Sequence, residues 1–445
     1  MNRQGTANAV IGTPHIRPGP SLRQMLALWV PLAASMLIMV LETSIVNIGL
    51  GRSADAELAL AAYGVAYGVA LLIEAPILML IDASVARSVS AQAFAVVRRF
   101  TILVGLAVTV VGLLVSATPL YGLIVERLMG IPADVAAWAR PCLIVLSLWP
   151  FPIGWRRSFQ GVLIRANRTS VITMATVVRL VVLAGVLFVG LAFWPEQGAV
   201  VAGVAMDVSV IVEAILVTWA AQHALRAGLL GTPGSKPLEE PLSLRALWRF
   251  YAPLLMTSLM RQSIRPVLSA GIAAAAMARA SLAAWSVAWG LATLVAGPGW
   301  SLQQLTTALV QDEPSFKRVA RFSLVLSLGL SALLSLIIFT PLYGVVMGGI
   351  YNLTPELQAV ARPALGVIAM LPLVMGVQCL YRGALIRRGA TRAVRSATLV
   401  NALVLIGSLL AGVRWLAWTG VLLAAATTML SYLAELLYLR WANRR

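Results

Sequence analysis

The chain repeats itself at a constant offset of 222 residues, and a polypeptide built that way folds into two like halves. Leu60–Gly68 reads LAAYGVAYG and Leu282–Gly290 reads LAAWSVAWG. Thr118–Gly122, TPLYG, returns letter for letter as Thr340–Gly344, and Arg140-Pro141 returns as Arg362-Pro363. Gly161–Arg165 is matched by Gly383–Arg387, Pro76 by Pro298, Pro150 by Pro372 and Glu213 by Glu435, with no gap needed from residue 22 to 219. Both copies are strongly apolar. Hydrophobic residues make up 60% of the chain and charged ones 11%, with mean hydropathy +0.90. Lipid rather than water is the main solvent for such a composition. Long apolar repeats in a membrane chain are the sequence mark of a secondary carrier whose site lies between the halves.

Each apolar run has the length of a membrane-crossing helix, and only helices satisfy the backbone inside one short segment in lipid. The pattern predicts an all-α polytopic membrane protein of twelve spans. They fall near 22–50, 56–82, 98–122, 134–155, 169–191 and 197–223, and again 222 residues later at 244–272, 278–304, 320–344, 356–377, 391–413 and 419–441. The expected organisation is a cytoplasmic tail over 1–21, an N-lobe over 22–223, a linker over 224–243, a C-lobe over 244–441 and a short tail over 442–445. The stretch GLLGTPGSKPLEEP, with three prolines and three glycines, marks the linker.

Basic residues set the orientation. With the N-terminus inside, cytoplasmic segments hold 25 of the 34, among them Arg98-Arg99, Arg156-Arg157 and Arg387-Arg388, whereas outer loops hold six. The loop arginines read as topology determinants and anionic-lipid contacts. Six spans per half make both halves enter from the same face, so the repeat is parallel. Net charge +18 could suggest nucleic acid, but the charges sit in short loops and form no continuous basic domain. Residues 1–20 carry no apolar stretch, so a cleavable signal peptide is not expected. Two cysteines, Cys142 and Cys379, fall near opposite faces, which speaks against a disulfide or a metal cluster. No phosphate loop, HExxH, GxSxG or CxxC pattern occurs. The expectation is therefore no enzyme and no cofactor, with a coupling proton or sodium ion left open.

Ionisable residues inside spans mark a pathway or a paired structural site. Glu42, Glu74, Asp82, Arg179, Asp207, Glu213, Arg261, Arg265 and Glu435 are of this kind. Glu213 and Glu435 are equivalent, which favours a structural role in each lobe, and an intralobe pair of Arg179 with Glu213 or Asp207 is expected. Asymmetric charges say more: Glu42 corresponds to Ile264, Arg265 to Thr43 and Arg261 to Met39. Arg261 and Arg265 share one helix face, and two guanidiniums suit a polyanion. Both are candidate substrate contacts, with Arg179, Tyr63 and Tyr67 beside them; pairing with Glu42 across the lobes or with acids inside the C-lobe is the alternative. Glu42, Glu74 and Asp207 are candidates for coupling or gating, Glu42 either by taking a proton or by closing an outer gate against Arg265. Pro31, Pro76, Pro253 and Pro298 are candidate hinges, since a mid-span proline removes a backbone hydrogen bond.

Twelve spans in two parallel lobes, with equivalent prolines in spans 1 and 7, resemble the multidrug/oligosaccharidyl-lipid/polysaccharide (MOP) flippase superfamily and its MATE-like fold. Within it, LAAYGVAYGV running on to Pro76, the segment Gln262-Ser263-Ile264-Arg265-Pro266, and the run VVRLVV around Arg179 are similar to the progressive ankylosis (ANKH) family. The polar turn Trp300–Leu305 and Glu213 add to that likeness. The resemblance implies export of small polyanions such as citrate, other carboxylates, nucleotides or pyrophosphate. A proton- or sodium-coupled drug extruder and a flippase for a lipid-linked saccharide are the alternatives. The expected partners are a small anion and membrane lipid, in a monomer. Two lysines against 32 arginines point to a GC-rich bacterial genome and hence the inner membrane.

Overall fold

The computed structural model describes residues 20–166, 168–227 and 242–444. The expected N-terminal tail and most of the linker lie outside them. Helices are α1 (Leu22–Leu50), α2 (Ala56–Leu78, continued as Leu80–Arg87), α3 (Ala91–Ala117), α4 (Ala133–Leu146, continued as Pro150–Arg165), α5 (Thr169–Phe193) and α6 (Gly198–Arg226). The second half follows as α7 (Leu244–Gln262, continued as Ile264–Ala273), α8 (Ala278–Trp300, continued as Leu302–Leu309), α9 (Glu313–Phe339), α10 (Pro355–Ile368, continued as Leu371–Arg387), α11 (Thr391–Trp415) and α12 (Gly420–Arg444). Ten of these are long and apolar enough to cross a membrane, and α4, bent by 40° at its break, makes an eleventh. The remaining expected span, α7, falls below that apolarity because it carries Arg245, Arg249, Arg261 and Arg265. The protein is a polytopic all-α membrane protein. We call the face at which α1 begins the terminal face and the opposite one the far face.

Four of the six helix starts at the terminal face are capped in equivalent pairs, those of α5 and α11 being without a side-chain cap. Ser21 and Ser243 cap α1 and α7, and Ser90 and Asp312 cap α3 and α9, each side chain accepting from a first-turn backbone N–H, which supplies orphan donors with partners. Helix ends at that face run past the apolar segments, to Arg87, Arg165, Leu309 and Arg387 rather than 82, 155, 304 and 377. Hydropathy drops there, yet the backbone stays helical because the polar side chains find partners inside the bundle.

The repeated motifs are packing devices. Tyr121 of TPLYG donates its hydroxyl to Ala136 O at 2.6 Å, and Tyr343 donates to Gln358 O at 2.5 Å. Arg140 and Arg362 lie 5.6 and 5.1 Å over those two rings. Gly161 packs on Ser84 and its counterpart Gly383 on Thr306, so close that a Cβ would stand 2.4 and 2.7 Å from their Cβ atoms. Small residues at such contacts let helices approach in lipid, where burial of apolar surface supplies no drive.

Of the expected hinges, Pro76 and Pro298 each precede a helix break by three residues, at Met79 and Ser301. Freed carbonyls there are bonded by side chains: Leu78 O by Arg157 at 3.3 Å, and Pro298 O by Trp29 Nε1 at 3.2 Å. α1 runs unbroken through Pro31. Pro253 lies within the first segment of α7, whose break comes later, at Ser263.

The lobes meet through α1, α2 and α3 on one side and α7, α8 and α9 on the other. At the far face the seam is dense and directional. Asn47 Nδ2 donates to Ser286 O at 2.8 Å, Ser286 Oγ to Leu60 O at 3.3 Å, Asn352 Nδ2 to Gly51 O at 2.7 Å, and Arg52 to Ile350 O at 3.1 Å. Arg279 of the C-lobe pairs with Asp55, Glu57 and Asp134 of the N-lobe at 2.6, 3.0 and 3.2 Å. Toward the terminal face the joins are mostly aromatic, Trp29 against Phe322 and Phe100 against Tyr251.

Candidate substrate cleft

The N-lobe holds a chain of four charges. Glu42 of α1 meets Arg179 of α5 at 2.5 Å, Arg179 pairs with Glu213 of α6 at 3.2 Å, and Glu213 pairs with Arg156 of α4. Thr176 and Gln160 donate to the other Glu213 oxygen at 3.1 and 3.4 Å. Two positive and two negative groups, nearly out of contact with water, balance one another, which is the condition for keeping charge at this depth. The expected Arg179–Glu213 pair is present. Glu42, however, faces Arg179 and not Arg265, so no Glu42–Arg265 gate exists in this conformation.

Arg156 corrects the sequence reading most sharply. Counted with the loop charges, it is buried and belongs to the cluster, because α4 continues about two and a half turns beyond it. Arg157, read the same way, turns into the bundle toward Leu78 O and acts on Glu74.

Glu435 is the centre of the matching site in the C-lobe, with one rearrangement. Arg156 corresponds to Gln378 and Gln160 to Arg382, so arginine and glutamine have exchanged places one helical turn apart. Arg382 pairs with Glu435, Gln378 Nε2 reaches Glu435 at 3.4 Å, and Asn401 stands where the N-lobe has Arg179. No second acid joins this cluster among the described residues. The offset of 222 contained this signal, and following each partner of Glu213 across it would have found Arg382.

Arg261 and Arg265, both on the exposed side of α7, make no ion pair among the described residues. The Arg265 guanidinium lies 5.7 Å from the centre of the Tyr67 ring in the N-lobe, and it acts electrostatically on Tyr432 of α12. Arg261 acts on Glu435. Arg265 therefore sits between the lobes, where α7 faces α2, and Arg261 lies about a turn away on the exposed side of the same helix. Tyr67 and Tyr63 stack at 5.5 Å, backed by Trp149, and Trp285 and Trp289 repeat the stack at 5.4 Å on α8. Tyr63 is buried in the core, whereas Tyr67 is partly open.

Glu74 and Asp207 are buried away from the arginine pair. Glu74 has an oxygen with no hydrogen-bond partner, as has Asp207, which sits within electrostatic reach of Cys142. Both cysteines are free and buried. Along the first turns of α1, an open apolar hollow of about 750 Å³ is lined by Leu22, Arg23, Leu26, Ala27, Val30 and Pro31.

Comparison with family models gives no match, and neither does comparison with curated proteins. Solved structures do match. An inward-facing multidrug resistance MATE family transporter of the MOP superfamily superposes with a TM-score of 0.69 at 16% identity, over 93% of this chain and 98% of that one. The fold is that of the MATE transporters. The lipid II flippase MurJ, in an inward closed conformation, gives 0.65 at 12% identity over 94% and 88%. A MOP superfamily transporter from Pyrococcus furiosus, described as having a binding pocket of reverse polarity that suggests a different function, gives 0.56 at 15% over 94% and 95%. These neighbours are transporters and a flippase, none of them an enzyme.

Proposed function

We propose that the chain is a secondary transporter of the MOP type that exports small organic or phosphate-containing anions by alternating access. One observation carries this reading: two guanidiniums on α7 make no ion pair among the described residues, one of them at the lobe junction, while Glu42 and Glu435 are engaged by other arginines. A cation-drug cavity gains nothing from that arrangement. The reverse-polarity description of the Pyrococcus neighbour supports it, as does the likeness to the progressive ankylosis family at Arg265 and Arg179. Citrate, dicarboxylates, nucleotides and pyrophosphate are the class of substrate. Arg261 and Arg265 bind it, Tyr67 supports Arg265, and Arg179 holds Glu42 back from the cleft. Asp207, buried without a cation beside it, is the residue we assign to proton coupling, with Glu42 and Glu74 as the other candidates. We place the protein in a bacterial inner membrane as a monomer with both termini cytoplasmic, so that the dense far-face seam is the periplasmic one and the structure is closed to the outside.

Counterflow in proteoliposomes tests the reading. Citrate, pyrophosphate and ATP are offered to the native protein and to Arg265→Ala. Flux of at least one anion that Arg265→Ala abolishes is the expected result. No flux of any of them, together with extrusion of a cationic dye, would return the protein to the multidrug class. The apolar hollow along α1 favours a second reading, in which the anion is the diphosphate of a lipid-linked saccharide and the hollow takes the tail. Scrambling of such a lipid in the same vesicles, without flux of soluble anions, would select it.

A further inference from the structure

The exchange of arginine and glutamine between the lobes changes what a buried carboxylate is for. In the N-lobe, Glu213 is wholly buried and held by Arg156, Arg179, Thr176 and Gln160. Moving the guanidinium one turn toward the terminal face in the C-lobe gives Arg382 a side chain 28% exposed, against 10% for Arg156. Its partner Glu435 keeps other donors within reach, Gln378 at 3.4 Å and the amide of Asn401. Arg261 and Arg265 act on the same patch of α12, on Glu435 and Tyr432 respectively. Two guanidiniums, Arg382 and Arg261, thus act on one carboxylate, an excess of one positive charge with Arg265 close by at Tyr432, where the N-lobe cluster is neutral.

We infer that Arg382 is a third substrate-binding arginine and that Glu435 is its resident counter-ion, displaced when a polyanion enters. This deepens the anion reading and rests on it. In the empty cleft the Arg382–Glu435 pair avoids an unpaired buried charge. A substrate with two or more anionic groups bridges Arg261, Arg265 and Arg382, and Glu435 falls back on Gln378 and Asn401. Competition between substrate and Glu435 then sets affinity, and it favours anions of higher valence. It also gives the C-lobe a pair that opens on loading, while the N-lobe cluster stays shut.

Pyrophosphate counterflow with the full-length protein, in native form and as Arg382→Gln, Arg382→Lys, Glu435→Gln and the double variant Arg382→Gln/Glu435→Gln, tests this. Arg382→Gln raises the half-saturating pyrophosphate concentration about tenfold or more, the size of effect of a lost charge-assisted hydrogen bond, and Arg382→Lys raises it less. Glu435→Gln lowers it, because the competitor is gone. The double variant removes both charges, so it should fold even if Arg382→Gln does not, and it must still show the raised value. Unchanged half-saturation in folded variants overturns the inference while leaving the anion reading intact. So does weaker binding in Glu435→Gln, which a purely structural strut predicts. A native protein that carries none of pyrophosphate, citrate or ATP defeats the anion reading, and this inference falls with it.

Discussion

Gly51→Ala separates the lobes at the far face by simple contact. Gly51 closes α1 with φ −61° and ψ −10°, a conformation alanine adopts without strain. Its added Cβ, however, would stand 1.8 Å from the carbonyl oxygen of Tyr351 in the other lobe. That atom is backbone, so no rotamer change relieves the clash. A carbon–oxygen contact of about 3.3 Å requires the two backbones to part by about 1.5 Å. Two interlobe hydrogen bonds sit at the same spot, Asn352 to Gly51 O at 2.7 Å and Arg52 to Ile350 O at 3.1 Å, and neither survives that displacement. At about 0.5–1.5 kcal/mol each, their loss weakens the closed seam by roughly 1–3 kcal/mol, equivalent to a shift of roughly 5- to 150-fold toward far-face opening. A Ser286→Cys reporter reads this, with Cys142 and Cys379 replaced by alanine and a membrane-impermeant maleimide added at the far face. Labelling should accelerate by the same factor. If Gly51→Ala labels at the parent rate and melts at the parent temperature, the seam does not gate access and the reasoning fails.

Arg279→Ala opens the same face more weakly. Its three pairs are roughly 40% exposed and contribute at most about 1 kcal/mol each, so labelling should rise a few-fold, and the difference from native should vanish in 1 M salt, where screening reaches about 3 Å. Glu213→Gln leaves the buried Arg156 without an acid, while Arg179 keeps Glu42, and should cost about 3–5 kcal/mol, a drop in melting temperature clearly larger than that of Glu435→Gln, whose partner Arg382 keeps contact with water; equal drops would show that the clusters are not different in kind. Asp207→Asn should leave counterflow unchanged but abolish accumulation driven by a pH gradient; accumulation that persists removes Asp207 from coupling.

Much of the fold was legible because hydropathy and repetition report what lipid demands. The offset of 222 and the spans follow from residue type alone. Helix ends at the terminal face were not legible, since apolar runs stop where polar side chains turn inward rather than where the helix stops. Arg156 shows why: four helices must pack before its partner Glu213 is beside it, and residue type cannot separate a buried guanidinium from a loop one. Glu42 illustrates the same limit. Its depth was readable, but its choice of Arg179 over Arg265 depends on which faces α1, α5 and α7 present. Within the cleft, Arg261 and Arg265 stood out because their N-lobe counterparts are Met39 and Thr43. Arg382 did not, because its own exchange with glutamine hid it among the basic loop ends.

On the anion-carrier role proposed above, the asymmetry of the two lobes bears on how binding is converted into motion. A ligand shifts a conformational equilibrium only by what it binds differently in the two states. Contacts made wholly within one lobe move with that lobe and contribute nothing. Arg261, Arg265 and Arg382 all belong to the C-lobe, so a polyanion held by them alone would load the site without driving closure. The differential contact must come from the N-lobe, and across the cleft that lobe offers the Tyr67 ring, over which Arg265 already lies. A substrate that draws Arg265 away from Tyr67 loosens an interlobe contact as it binds. Occupancy then favours the change of state, and the empty carrier, with Arg265 back on the ring, resists it. On this argument Tyr67→Ala should leave the affinity for pyrophosphate within about twofold while uncoupling it from movement, so that substrate no longer alters maleimide labelling at Ser286→Cys. Affinity that collapses instead would make Tyr67 part of the binding surface and not the hinge of its energetics.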